Sequence, residues 1–215
     1  MIGIIFDLDG TLWEVIDSTY KSVNEICEKY NLDSVSRGVI CSCFGLDKYE
    51  TARKYFSNID TDRLMELLKE IADININNLR NNGGNIYEGV KETIKRLSYK
   101  YKLYIVSNTA EKEYIEAFLE SSNLNDYFDD YIAAGEINIT KSEAIKKVIK
   151  DNNLTKAIYV GDTINDYTAA NEASIPFVYA EYGFGKKFDN KYVISSFKEL
   201  PYLIDNIIKE WEYEK

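Results

Sequence analysis

The sequence opens with MIGIIFDLDGTL at residues 1–12, an apolar run that ends in two aspartates separated by one residue. A short and almost continuously apolar run is typical of a β-strand that is buried on both faces. Asp7 and Asp9 lie on the same face if the strand continues that far, because side chains alternate along a strand. Gly10 permits a tight turn, and Thr11 adds a hydroxyl group. An ordinary Asp-Gly turn is the alternative that this stretch alone leaves open.

Further apolar runs and helical patterns alternate along the rest of the chain. The strand-like runs lie at residues 102–107, 130–134, 157–161 and 176–180. Amphipathic helical patterns lie at residues 88–99, 112–121 and 141–152. Alternation of this kind predicts an α/β fold with a Rossmann-like, mostly parallel sheet.

The segment from about residue 14 to residue 82 breaks this alternation, because it contains no convincing strand. Its helical patterns lie at residues 18–30, 47–56 and 61–80. We therefore predict an inserted all-helical cap domain, residues 15–82, within a core domain formed by residues 1–14 and 83–215. Gly83 and Gly84 lie where the chain returns to the core, and their conformational freedom suits a hinge.

The composition limits the possible chemistry. The chain has 215 residues, three cysteines, no histidine and a formal net charge of −10. Without histidine, Ser-His-Asp and Cys-His mechanisms and histidine-bound zinc are excluded. The acidic balance argues against nucleic-acid binding and against anionic membranes. No apolar run reaches membrane-spanning length and no signal sequence opens the chain, so we expect a cytoplasmic protein.

Polar residues follow several of the predicted strands. Ser107 and Asn108 end the second run, and Asp162 ends the fourth, with Asp166 four residues later. Ligands of open parallel sheets bind beyond the carboxyl ends of the strands, so these side chains are expected to meet Asp7 there. Crowded carboxylates need a counter-charge, and an oxygen-rich set without histidine or thiol suits Mg²⁺. Taken singly, Ser107 and Asn108 are also common turn residues, and Asp166 also fits a helix cap on Thr163.

Lys141 stands out because of its position in a helix. Thr140-Lys141-Ser142-Glu143 has the form of a capping box, which places Lys141 in the first helical turn. The helix dipole disfavours a cation there, whereas a bound phosphate would favour it. A solvated surface lysine is the alternative.

These features together resemble the four motifs of the haloacid dehalogenase (HAD)-like hydrolase superfamily, in the same order and at the same strand ends. The matching stretches are residues 6–12, Ser107-Asn108, Lys141 and Gly161-Asp162-x-x-x-Asp166. Within the superfamily the chain looks most like the phosphoglycolate phosphatase-like branch, whose members carry a helical cap between the first and second motifs.

The resemblance implies a phosphatase that hydrolyses a small phosphorylated metabolite through an aspartyl-phosphate. Asp7 would be the nucleophile, and Asp9 would protonate the leaving group and then activate water. Lys141 would complete the catalytic set. The residues expected to bind the phosphate are Thr11, Ser107, Asn108 and Lys141.

The resemblance also implies a site for Mg²⁺. The ion would be held by the carboxylate of Asp7, the backbone carbonyl of Asp9 and the carboxylate of Asp162. Asp166 would support these ligands through water or through Lys141. The sequence makes no prediction about the oligomeric state.

Three other functions stay open at this stage. A 2-haloacid dehalogenase would share the fold, but Asp9 argues against it, because dehalogenases of this type resemble the motif without the second acid. A phosphosugar mutase and a non-catalytic regulator are the others.

The cap would select the substrate, with residues 44–46 in a loop that faces the site. Its candidate anion contacts, which are also ordinary surface charges, are Arg37, Lys48, Arg53 and Lys54.

Overall fold

The computed structural model describes residues 1–213, and a six-stranded parallel sheet lies at its centre. The strands are β1 (Ile2–Phe6), β2 (Trp13–Glu14), β3 (Asn85–Ile86), β4 (Lys102–Ser107), β5 (Asp130–Ala133), β6 (Lys156–Gly161), β7 (Phe177–Ala180) and β8 (Tyr192–Ile194). The helices are α1 (Ile16–Lys29), α2 (Arg37–Cys41), α3 (Lys48–Tyr55), α4 (Thr61–Asn82), α5 (Val90–Ser98), α6 (Lys112–Ser122), α7 (Lys141–Asp151), α8 (Ile164–Glu172) and α9 (Leu200–Tyr213).

The main sheet has the strand order β5-β4-β1-β6-β7-β8, and every neighbouring pair is parallel. In β1, Ile5 pairs with Tyr104 of β4 on one side and with Tyr159 of β6 on the other. The predicted α/β fold with a mostly parallel sheet is confirmed. Because the strand order reverses around β1, a crevice for ligands opens at its carboxyl end.

Helices cover both faces of the sheet. Ile4 and Phe6 pack in a cluster with residues of α5, α6 and α9. Ile5 belongs to the cluster on the opposite face, with residues of α7 and α8. A strand covered on both sides loses water at every position, which explains why β1 reads as an apolar run rather than an alternating one.

Some elements were not predicted from the sequence. They are β2, β3, β8, α2, α8 and α9. The strands among them have two or three residues, too few to show a period of two, and α2 has five residues. Tertiary pairing rather than local pattern forms such short pieces.

The helical insert lies between β2 and β3, which pair antiparallel with Trp13 opposite Ile86. The two chain crossings therefore run side by side. Helices α1 to α4 enclose an apolar cluster of their own, which includes Ile26, Ile40 and Leu67. The extent of a separate cap domain at residues 15–82 stays a prediction.

Helix α4 links the insert to the core. Its first half supplies Leu64 and Leu67 to the cluster of the insert. Ile76 and Leu79, in its second half, belong to the core cluster that contains Ile4 and Phe6 of β1. The helix packs against α6, and Arg80 forms ion pairs with Glu116 and Glu120 of α6.

The two glycines after α4 each have a structural reason to be glycine. Gly83 ends the helix with a φ of 70°, in the left-handed region. The backbone of Gly84 packs on an indole ring, since a Cβ there would lie 2.7 Å from Cε3 of Trp13. A hinge at this pair therefore stays a prediction.

Among the helices of residues 1–213, none combines the length and the apolar character that crossing a membrane requires.

Candidate active site

Three neighbouring strands bring the predicted site residues to one edge of the sheet. The backbone N–H of Asp7 donates a 2.8 Å hydrogen bond to the carbonyl of Val160, so the pairing of β1 with β6 continues one residue past β1. Ser107 ends the neighbouring strand β4, and Asp162 follows β6 directly. All three residues are buried: the exposed fraction is 6% for Asp7, 4% for Ser107 and 0% for Asp162.

Lys141 is a buried ion-pair partner rather than a surface lysine. Its Nζ lies 2.8 Å from Oδ1 of Asp7 and 2.6 Å from Oδ1 of Asp166. The capping box is formed, because Glu143 N–H donates to the Thr140 hydroxyl and Thr140 N–H donates to the Glu143 carboxylate. The helix start therefore places Lys141 between two carboxylates, which offset its unfavourable position in the helix dipole.

Asp162 is held from the loop that follows β7. Its Oδ2 accepts hydrogen bonds from the backbone N–H groups of Phe184 at 2.6 Å and Gly185 at 3.3 Å. Its Oδ1 lies 3.5 Å from the hydroxyl of Thr11. Gly10 has a φ of 82°, and a Cβ at this position would overlap Oδ2 of Asp162. The glycine of the Asp-Leu-Asp-Gly turn is thus required by both conformation and space.

Asp166 anchors both a helix and the lysine. Its Oδ2 accepts from the hydroxyl of Thr163 at 2.7 Å and from Thr163 N–H at 3.0 Å, which completes a capping box at the start of α8. Its Oδ1 accepts from Lys141 and from the Tyr159 hydroxyl at 3.3 Å. The same carboxylate thus caps α8 and orients Lys141 toward Asp7.

Asp9 is held by two aromatic side chains instead. Its Oδ1 accepts one hydrogen bond from Nε1 of Trp13 at 2.8 Å and one from the hydroxyl of Tyr114 at 2.9 Å. Asp7 and Asp9 therefore have different surroundings although they belong to one motif.

Burial dominates the electrostatics of the site. It raises the pKa of Asp9 to about 6, against the lowering effect of the hydrogen bonds from Tyr114 and Trp13. Burial and the carboxylate of Asp166 raise the pKa of Asp7 to about 7, although Lys141 lowers it. Burial also raises the pKa of Asp162 well above its ordinary value. Burial lowers the pKa of Lys141, but the carboxylates of Asp166 and Asp7 outweigh this and raise it well above its usual range.

The carboxylate cluster could hold a hard cation. One oxygen from each of Asp7, Asp162 and Asp166 lies within 4.8 Å of the others, and all three residues are buried. Four acidic side chains, counting Asp9, face a single ammonium group, so a divalent cation would relieve their repulsion. Carboxylate oxygens are the ligands that Mg²⁺ prefers. The structure groups Asp166 with Asp7 and Asp162, whereas the carboxylate of Asp9 is occupied by Trp13 and Tyr114.

A cavity of about 460 Å³ opens between the sheet edge and the helical insert. From the core it is lined by Asp7, Asp9, Ser107, Asn108 and Lys141. From the insert it is lined mostly by apolar side chains, with two lysines, Lys48 and Lys69. Thr11 is fully buried behind this surface and contacts Asp162, so its predicted phosphate contact stays a prediction.

A loop of the insert, residues 43–46, docks on the core at the cavity. The ring of Phe44 lies 4.4 Å from that of Phe184, measured between centroids. The carbonyl of Gly45 accepts hydrogen bonds from the side-chain amides of Asn108 at 3.2 Å and Asn165 at 3.1 Å. The side-chain amide of Asn108 therefore contacts the insert, and phosphate binding at Asn108 stays a prediction.

All four candidate cations of the insert have partners within the protein. Arg37 pairs with Asp17, Arg53 donates to the Thr61 hydroxyl, and Lys54 donates to Ser42. Lys48 does line the cavity, where its Nζ donates to Oδ1 of Asn138 at 3.1 Å.

Sequence reasoning missed several residues that hold the site together. They are Trp13, Tyr114, Tyr159, Phe184 and Asn165. The run Gly183-Phe184-Gly185 after β7 was a usable signal, because glycines at a strand end often mark a close approach of the backbone. No local pattern indicates that Tyr114 would reach Asp9, since the contact depends on how α6 packs.

The fold and the strand-end carboxylates agree with the match to a known family. The profile of the haloacid dehalogenase-like hydrolases matches residues 4–180. The chain belongs to this family, as the resemblance of its motifs predicted, and is therefore a hydrolase.

Proteins similar to this chain are found among known sequences and among solved structures. Pyrophosphatase PpaX of Bacillus cereus is 27% identical over 175 residues, which cover 79% of this chain and 78% of that protein. A haloacid dehalogenase-like family hydrolase from Streptococcus pneumoniae has a TM-score of 0.79 at 19% identity and covers 95% of this chain and 97% of that one. A predicted phosphoglycolate phosphatase from Haemophilus somnus has a TM-score of 0.80 at 20% identity, with 94% and 96% covered. These structures share the fold.

Proposed function

We propose that this protein is a Mg²⁺-dependent phosphatase that hydrolyses a small phosphate monoester through an aspartyl-phosphate on Asp7. The observation that carries the proposal is the ion pair between Asp7 and Lys141 in the cavity wall, at 2.8 Å. A buried carboxylate beside a buried ammonium group provides a nucleophile and a partner for the phosphoryl oxygens in one place.

Asp7 suits the attack on phosphorus. Its carboxylate lines the cavity, and Lys141 lies close enough to contact a phosphoryl group that binds there. Ser107 lines the same cavity from β4 and would donate its hydroxyl to a second phosphoryl oxygen. Charge neutralisation and positioning are the main requirements of phosphoryl transfer, and these side chains supply both.

Asp9 suits the proton transfers. Burial raises its pKa to about 6, so near neutral pH it can lose and regain a proton readily. It would protonate the leaving oxygen when the aspartyl-phosphate forms and then accept a proton from the water that hydrolyses this intermediate. A dehalogenase reaction has no leaving oxygen to protonate, so the placement of Asp9 in the cavity wall favours the phosphatase.

The proposed ligands of Mg²⁺ are the carboxylates of Asp7 and Asp162 and the backbone carbonyl of Asp9. Asp166, which shares the cluster, would orient them through Lys141. When bound, the ion would neutralise charge on the phosphoryl oxygens. A cytoplasmic location remains our expectation.

The size and the lining of the cavity indicate which kind of phosphate ester the protein hydrolyses. Its volume of about 460 Å³ exceeds what a phosphoryl group alone needs, and the wall from the insert is largely apolar. We propose that the leaving group of the ester contacts this wall. Pyrophosphate, the substrate in the name of the Bacillus cereus relative, is the main competing substrate, and Lys48 and Lys69 are the cations that could meet its second phosphate.

A substrate panel tests the proposal. Purified protein is assayed with 4-nitrophenyl phosphate, phosphoglycolate, pyrophosphate and a 2-haloacid, each with Mg²⁺ and with excess chelator. We expect Mg²⁺-dependent release of phosphate from the monoesters. Turnover of a haloacid, or turnover that persists in chelator, would contradict the proposal.

A further inference from the structure

We infer that Trp13 and Tyr114 are positioning residues that assign different tasks to the two oxygens of Asp9. Both side chains donate to Oδ1, at 2.8 Å from the indole and 2.9 Å from the hydroxyl. Within residues 1–213, Oδ2 accepts no protein hydrogen bond. This inference rests on the proposed phosphatase activity.

The two donors determine where a proton on Asp9 can reside. The indole N–H can only donate, so Oδ1 could not carry a proton on that side without losing the hydrogen bond. The phenol adds a second donor to the same oxygen. The free oxygen, Oδ2, is therefore the one that binds and releases the proton.

Packing makes this arrangement rigid. Trp13 is fully buried and meets the rings of Tyr114 and Phe118 edge to face, at centroid distances of 5.6 and 5.1 Å. The backbone of Gly84 closes the other side of the indole. The indole cannot turn away without opening a void, and the ring of Tyr114 packs against it, so Oδ1 of Asp9 is held before substrate binds.

The chemistry gives this orientation a specific consequence. As the Asp7 oxygen bonds to phosphorus, the bond from phosphorus to the ester oxygen breaks, and its electron pair stays on that oxygen. The ester oxygen then takes the proton from Oδ2 of Asp9, and the resulting carboxylate is stabilised at Oδ1 by Trp13 and Tyr114. A poor leaving group depends on this proton, whereas a good one departs without it.

Tyr114→Phe tests the inference, because it removes the donor and keeps the ring. The two substrates are phenyl phosphate, which has the poorer leaving group, and 4-nitrophenyl phosphate. We expect kcat/KM to fall about tenfold more on phenyl phosphate than on 4-nitrophenyl phosphate. Trp13→Phe, which also keeps an aromatic ring, should show the same selectivity.

Tyr131→Phe is the matched control. It removes a hydroxyl that donates to Glu116 of α6 at 2.8 Å, outside the cavity, and should affect neither ester. Equal losses on both esters in Tyr114→Phe, with an active wild-type protein, would overturn this inference alone. A wild-type protein that hydrolyses no phosphate ester would overturn the proposed function and this inference together.

Discussion

Nζ of Lys141 lies 2.8 Å from Oδ1 of Asp7, although 134 positions separate the two residues along the chain. Both side chains are buried, and the lysine is shared with Asp166 at 2.6 Å. The charge of Asp7 is therefore partly balanced before any ligand binds.

Asp7→Asn should reduce turnover of 4-nitrophenyl phosphate by about 10³-fold or more, because an amide is a poor nucleophile. The free energy of unfolding should not fall, since one of several crowded and buried carboxylates is removed. Rates and urea unfolding are compared with those of Asp126→Asn, which changes an exposed carboxylate. A near-normal kcat in Asp7→Asn would show that another residue is the nucleophile.

Lys141→Met should lower the free energy of unfolding by about 3–5 kcal/mol, since it leaves two buried carboxylates without their cation. Lys147→Met is the control, because Lys147 forms an exposed ion pair with Asp151 and its loss should change the free energy of unfolding little. Adding Asp166→Asn to Lys141→Met should recover part of the loss. Urea unfolding at neutral pH measures all four proteins, and similar losses at positions 141 and 147 would refute the prediction.

Mg²⁺ should stabilise the folded protein as well as support activity. At a free concentration of about 100 times the Kd, a cation that binds only the folded state adds about 2.7 kcal/mol to the free energy of unfolding. Thermal unfolding with and without Mg²⁺ measures the shift, and Asp162→Asn should shrink it. Ca²⁺ should support turnover poorly, because its looser coordination misplaces the reacting groups. If Mg²⁺ does not change the melting temperature of the wild-type protein, the proposed metal site is wrong.

The contribution of Asp9 to the stability of the metal-free protein should fall as pH rises from about 4 to about 6. Burial raises the pKa of Asp9 from 3.8 to about 6, so in this range the folded protein keeps a proton that the unfolded chain has released. The contribution of Asp9 to the free energy of unfolding therefore decreases with rising pH and levels off above the folded pKa. Asp7, with a pKa raised to about 7, acts in the same direction.

Asp9→Asn isolates the contribution of Asp9 to this slope. Urea unfolding of the wild-type and variant proteins at several pH values gives two curves, and the variant curve should be flatter between about pH 4 and 6. The slope that remains in the variant belongs to Asp7 and to the other groups that titrate in this range. Parallel curves would mean that Asp9 titrates normally in the folded state.

Much of the fold could be predicted because it depends on local pattern. The strand predicted at residues 102–107 matches β4 in both bounds, and the helix predicted from residue 141 begins at Lys141. Apolar runs and capping boxes are properties of neighbouring residues, so they can be recognised in a single sequence. Helix α9 was not predicted, although Pro201 lies in its first turn, where proline is common.

The environment of the candidate site could be predicted only in part. The convergence of Asp7, Ser107 and Asp162 follows from the rule that parallel strands end at one edge. The same reasoning predicts Asp166 near these side chains, but not the hydrogen bond that Asp166 accepts from the Tyr159 hydroxyl, because that contact depends on how α8 packs over the sheet.

The sequence by itself determined the α/β class, the helical insert and the strand-end carboxylates, because each depends on residues that are adjacent or periodic along the chain. Only the tertiary structure decided which oxygen meets which donor: Lys141 on Asp7, and Trp13 with Tyr114 on Asp9. The physical reason is that a hydrogen bond needs two atoms about 3 Å apart. Over 105 positions, as between Asp9 and Tyr114, that distance is determined by the packing of whole elements and not by local sequence.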